Sequence, residues 1–211
     1  QTKLMAAVKL KRAFKNVFPL PAQIQLGMNN VPVLDQGVHG TCATFAITGA
    51  FDALAGRGDY YSQLCALSLG NTLAQNGYSG SGWEGQSGSG ILARIDEFGL
   101  VPKYQESMTG CGGLDHYPTL EAIESSAMPL EEFHAISRPS YYSGFVQSSS
   151  ILDLTKWFNK EMSANELLSK VKKSLYSGNR LMIGTLLPMQ SDLGASGSYQ
   201  TQNDTWLLTG E

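Results

Sequence analysis

Asp35-Gln36-Gly37-Val38-His39-Gly40-Thr41-Cys42-Ala43-Thr44-Phe45-Ala46 is the densest run of chemistry in this 211-residue chain. From Ala43 onward, apolar and small residues fall at 43, 46, 47, 50, 51 and 54. That is the spacing of a helix buried along one broad face. Gly56 and Gly58 stop it. Cys42 therefore stands in the first turn of a buried helix, after a turn bracketed by Gly37 and Gly40. At a helix start, free backbone N–H groups meet the positive end of the dipole, and both favour a thiolate. Gln36, six residues upstream across the turn, can return its side-chain amide toward the same point. An amide donor and a backbone N–H beside a nucleophile are what a developing oxyanion requires. A lone cysteine is more often a small buried hydrophobe, but that alternative explains neither Gln36 nor the glycine bracketing.

Around this stretch, composition sets the bounds. Hydrophobic residues make up 42% of the chain, enough for a real interior, and no run approaches eighteen apolar residues, so no membrane span is expected. Charged residues are only 16% and Gly reaches 23, a profile of loop-rich globular structure. Residues 1–34 hold five cations (Lys3, Lys9, Lys11, Arg12, Lys15) and no acid, so the remainder sets ten cations against all 18 acids. An acidic body argues against nucleic acid as a partner. Three cysteines, Cys42, Cys65 and Cys111, with no CxxC pair and three His, give no zinc signature. Either all three are reduced, or two pair and one is left for chemistry.

Residues 3–17 place Leu4, Val8, Leu10, Phe14 and Val17 along one helical face between the cations. This segment lacks the pattern of an intact signal peptide and reads as a peripheral helix or the remnant of a pro-segment. Pro19 and Pro21 end it, and Val31 to Leu34 reads as extended. Residues 77–90 hold six Gly and four Ser around Trp83 and Glu84. The formal GxGxxG at Gly80–Gly85 is not a dinucleotide site, because the preceding Leu73 to Tyr78 is too polar for the strand such a site needs. A helix follows with Ile91, Leu92, Ile95 and Phe98 on one face and Gly99 as its stop. Between Lys103 and Arg138 there are six acids and no cation. A capping box, Ser163 to Glu166, opens another helix through Leu167, Leu168, Val171 and Leu175, ended by Gly178. Leu181 to Leu187 reads as a buried strand closed by Pro188, Gln190 to Gln202 as loop, and Thr205 to Thr209 as extended.

The segment DQG…GTCATFA resembles the active-site stretch of papain-like cysteine peptidases, whose usual form is DQG, three variable residues with a Cys, then GSCWAF. The resemblance implies Cys42 as nucleophile and Gln36 as oxyanion donor. Ser62-Gln63-Leu64-Cys65 is similar to the family's SEQ…C segment. Gly82-Trp83-Glu84-Gly85-Gln86 falls where the family has GCNGG, the loop whose backbone pairs with substrate. Ile91 to Val101 resembles the helix and turn that follow. Cys111 falls where a disulfide partner is expected, which implies a Cys65–Cys111 bridge, a free Cys42 and export from the reducing cytosol. Residues 163–188 resemble the family's late helix and the first strand of its β-rich lobe.

The chain also departs from the family. The family's Cys three residues before the nucleophile is His39 here, and its partner in the loop is Trp83, so both halves of one bridge are replaced together. Ala43 replaces the bulky residue after the nucleophile, and Gln86 replaces a glycine that lines a subsite. The family's catalytic His falls about 130–150 residues after the Cys, which here means positions 172–192, and that window holds none. His116 and His134 come too early and read as surface residues; His39 lies on the nucleophile's own turn. Either Asp204 stands where the family has its His, giving an inactive homologue, or the His strand follows Glu211. A lobe with one confident strand cannot bury its face, so the second explanation is the one expected.

The resemblance implies an α+β, papain-like fold. A helical lobe over 31–150 would pack against a β-rich lobe begun by 151–211, with the cleft between them and 1–30 as a basic N-terminal segment. The function it implies is hydrolysis of polypeptide substrates by a secreted thiol protease, a monomer with no metal, no organic cofactor and no nucleic acid partner. Cys42 and Gln36 would be catalytic, and Gly82, Trp83, Glu84, Gly85 and Gln86 would bind substrate. Two other functions stay open: a non-catalytic peptide- or partner-binding module, and a related thiol acyltransferase.

Overall fold

The computed structural model describes residues 20–78, 80–120, 126–139, 151–152, 156, 158–184, 195–196 and 207–208. The basic segment before residue 20, Asp204 and most of 185–211 lie outside the described residues. Six helices occur among those described: α1 (Cys42–Ala55), α2 (Gln63–Gln75), α3 (Gly88–Phe98), α4 (Lys103–Thr109), α5 (Leu130–Ile136) and α6 (Ala164–Tyr176). Two residues of β1 (Ala195–Ser196) pair antiparallel with two of β2 (Leu207–Leu208).

The helix ends follow local chemistry. α1 terminates at Gly56 in the left-handed conformation, whose N–H bonds the Asp52 carbonyl. Ser62, Ser87 and Ser163 each cap a helix by accepting from the backbone N–H three residues on, opening α2, α3 and α6. α2 is buried on nearly all sides and forms the centre of the helical body. Leu64, Leu67 and Leu69 meet Trp83, Val101 and Phe133 in one cluster, while Ile47 and Phe51 of α1 meet Ile91 and Ile95 of α3 in a second. Cys65 and Cys111 are bonded, with Cα atoms 4.9 Å apart and neither side chain exposed, so the bridge ties α2 to the loop after α4 as the resemblance implies.

Among the described residues there is no β-rich lobe. The run from Leu181 is apolar enough to read as a buried strand, but its described part, 181–184, is neither strand nor buried, and Ile183 is 78% exposed. A single pairing of two residues against two cannot bury a face; that takes three or more strands or a helix laid on them. The expected α+β, papain-like arrangement, with a cleft between a helical and a β-rich lobe, is therefore corrected to a helical fold. α6 forms where the sequence places it, yet none of its residues is buried. No described helix is long and apolar enough to cross a membrane.

Candidate functional site

The turn before α1 is built by its own polar groups. Asp35 Oδ1 accepts from the Gly37 N–H at 2.8 Å, closing an Asx-type turn. Gly37 has φ +59° and lies so close to the Thr119 backbone that no side chain fits there. Gly40 has the second close approach. A Cβ on it would lie 3.0–3.1 Å from the backbone of Trp83, Glu84 and Gly85. The turn before Cys42 and the Gly-rich loop therefore pack directly on each other.

Cys42 is the first residue of α1, exposed, and the chain's only free thiol. The residue before it, Thr41, is the N-cap, a residue type that ordinarily caps its own helix. It does not do so: α1 has no side-chain cap bond. The Thr41 hydroxyl lies 2.8 Å from that of Tyr117. Tyr117 in turn donates its one proton to the Gln36 carbonyl at 2.8 Å, so Thr41 must be the donor between the two hydroxyls. Burial pushes the Tyr117 phenol above its ordinary value, with the Thr41 bond opposing.

Tyr117 belongs to a short segment that braces the whole turn. The Val38 N–H donates to the Thr119 carbonyl at 2.9 Å. His39 Nε2 lies 2.8 Å from the Pro118 carbonyl, which can only accept, so that nitrogen carries the proton. The Tyr117 ring stacks on Trp83 at 5.7 Å and meets Phe45 edge-on at 4.9 Å. His39 meets Trp83 edge-on at 5.5 Å. Positions 39 and 83, which the resemblance would join by a disulfide, are thus in ring contact.

The remaining residues singled out in the sequence fall as follows. Gln36 uses one of its amide hydrogens on the His39 carbonyl at 2.8 Å, within its own turn. Gly82 and Trp83 are buried, Glu84 and Gly85 exposed, and Gln86 half-buried with its amide on the Gly80 carbonyl at 3.1 Å. Cys65 and Cys111 lie in the core, away from this surface. All three His are described, and none of their ring nitrogens is hydrogen-bonded to the Cys42 sulfur. His39 is committed to Pro118, His116 pairs with Asp115 on the surface at 2.6 Å, and His134 is exposed against Phe98. Among the described residues, no group of three His, Cys, Asp or Glu could hold a metal ion.

Two contributors were missed in the sequence. Tyr117 carries no local signal; its partners lie 76 and 81 residues away. Arg94 did carry one, as a cation between the apolar positions of α3. It is 6% exposed and donates to the carbonyls of Ser81 and Gly80 at 3.0 and 2.7 Å, clamping the Gly-rich loop to α3. Burial lowers its pKa from the ordinary guanidinium value. Neither the protein-family models nor the curated proteins compared with this chain match it.

Proposed function

We propose that the chain acts on polypeptides through Cys42, as a thiol-dependent peptidase of the kind its active-site stretch resembles. The observation that carries the reading is placement. The only free thiol is exposed at the first residue of a buried helix, and its turn packs against a Gly-rich loop with open backbone at Gly85. The ring contact of His39 with Trp83 supports the same alignment of the two segments. In the reaction the sulfur adds to the scissile carbonyl carbon, and the C–N bond breaks as the amine leaves with a proton. Water then cleaves the thioester, releasing the acid and restoring the thiol. The α1 N–H groups and the Gln36 amide are the oxyanion donors in this scheme. The Cys65–Cys111 bridge supports export as its setting.

A second reading has its own observation. None of the three His pairs with Cys42, which favours a module that holds a peptide without cleaving it. One experiment addresses both readings. A peptidyl epoxide and iodoacetamide are compared for labelling of Cys42, each corrected for its reactivity with free cysteine. Peptide recognition at this surface should accelerate the former about a hundredfold, by holding the electrophile beside the sulfur. Equal corrected rates would defeat the peptidase reading. Peptide binding to Cys42→Ala without cleavage by the parent protein would select the module, and transfer to added amines would select an acyltransferase.

A further inference from the structure

α1 differs from the other long helices in one respect: a cap-competent residue at its start is prevented from capping. Ser62, Ser87 and Ser163 stand at extended backbone angles and bond their own helices. Thr41 stands at φ −93°, ψ 11°, and its hydroxyl is turned to Tyr117. The same phenol holds the Gln36 carbonyl, and the same ring stacks on Trp83. A single side chain thus touches the residue before the nucleophile, the residue read as oxyanion donor and the loop read as substrate wall. The Trp83 indole nitrogen, in the same cluster, is buried without an acceptor.

We infer that Tyr117 is a positioning residue for Cys42: by holding the Thr41 hydroxyl it keeps the first-turn N–H groups of α1 uncapped and directed at the sulfur and its reaction partner. This rests on reading Cys42 as the nucleophile. A Thr41 released from Tyr117 can turn its backbone from ψ 11° to the extended angles of the other caps, and its hydroxyl can then accept from the Thr44 N–H. That would withdraw one donor from the positive end of the helix, an effect of about three- to fivefold on a reaction of the Cys42 thiolate at neutral pH.

The test is carbamidomethylation of Cys42 by iodoacetamide at pH 7 with the Cys65–Cys111 bridge intact, which requires no peptidase activity. Tyr117→Phe keeps the ring stack and removes the hydroxyl. It should slow labelling about three- to fivefold. Adding Thr41→Val to that variant removes the freed cap and should restore the rate to within about twofold, a rescue that loosening of the fold would not give. Thr41→Val alone should label as fast as the parent, and this variant decides the matter if Tyr117→Phe does not fold. Parent-like labelling of Tyr117→Phe, a double variant as slow as the single, or slowed labelling of Thr41→Val would each overturn the inference. If these rates behave as expected while a peptidyl epoxide shows no preference for Cys42, the positioning role stands and the peptidase reading falls.

Discussion

Asp52 is fully buried in the last turns of α1, and replacing it with Asn should flatten the pH dependence of stability near neutrality. Its Oδ1 accepts from the Tyr61 N–H at 3.1 Å, while Oδ2 has no partner. Burial raises its pKa from 3.8 to about 7, and Asp59 adds to the rise; the backbone bonds from Tyr60 and Tyr61 and the charge of Lys103 oppose it. The group therefore binds its proton more tightly folded than unfolded. Its contribution is fully present below about pH 4 and is lost as the pH climbs toward about 7. At about 1.4 kcal/mol per pH unit that loss comes to roughly 4 kcal/mol, an upper value. Asp52→Asn retains the acceptor for Tyr61 and cannot ionise, but it places an N–H where Oδ2 has no partner, at a cost of about 1–3 kcal/mol. Urea unfolding of both proteins at pH 4.5, 6, 7 and 8 separates these effects. The orphan N–H is a constant offset, whereas the carboxyl changes with pH. The variant should start less stable at pH 4.5 and gain on the parent by roughly 2–4 kcal/mol by pH 8. Glu106, whose pKa burial also raises, is common to both proteins and cancels. A stability difference that does not change between pH 4.5 and 8 would refute the reasoning.

Thiol counting under denaturing, non-reducing conditions should find one free thiol, and reduction of the bridge should cost roughly 3–4 kcal/mol in the chain-entropy model; three free thiols would remove both the bridge and the argument for export. Gly85→Ala adds a Cβ that meets nothing within 4 Å but strains a residue at φ +110°. It should slow labelling of Cys42 by a peptidyl epoxide about tenfold while leaving iodoacetamide labelling unchanged; equal effects on both reagents would place peptide binding elsewhere. Arg94→Met should release the Gly80 and Ser81 carbonyls, so that amide exchange in the 80–86 loop quickens at least about tenfold beyond any change in the core of α2. Parallel changes in loop and core would show a merely global effect. Cys42 should be alkylated readily at neutral pH while turnover of peptide amides should be slow, because expulsion of the amine needs a proton donor in reach and none of the three His bonds the sulfur. Fast turnover abolished by Cys42→Ala would require a base other than those three.

The parts of the fold legible in the sequence are those fixed locally. α1 shows a full helical period and ends on a glycine that takes the left-handed turn, and α6 is announced by Ser163 three residues before Glu166. α2 was not read as a helix because it is buried nearly all round and so has no polar stripe to set the period. The false strand at Leu181 has the opposite cause. A short apolar run does not distinguish strand, buried helix and exposed segment, and only partners decide between them. The turn before Cys42 and the Gly-rich loop stand out as motifs, and the disulfide follows from the resemblance. Tyr117, which joins the two motifs, does not stand out, because nothing near it in sequence depends on it.

The ring contacts between positions 39 and 83, where the resemblance would place a bridge, also have an energetic logic. A disulfide between positions 39 and 83 would stabilise by about 2–4 kcal/mol, largely by restricting the unfolded chain. Aromatic pairs contribute about 0.5–1.5 kcal/mol each beyond the area they bury, and hydrogen bonds about 0.5–1.5 each. His39, Trp83, Tyr117 and Phe45 make four ring contacts, and four hydrogen bonds join the Tyr117–Thr119 segment to the turn. Even heavily discounted for non-additivity, that set matches a covalent link in magnitude. It acts differently, because it stabilises the folded geometry itself and does not depend on redox state. The two cross-links of this chain thus divide their work. The Cys65–Cys111 bridge secures the α2 core, where position matters little to the thiol, while directional hydrogen bonds and stacked rings set the angle at which the Cys42 helix start faces its loop.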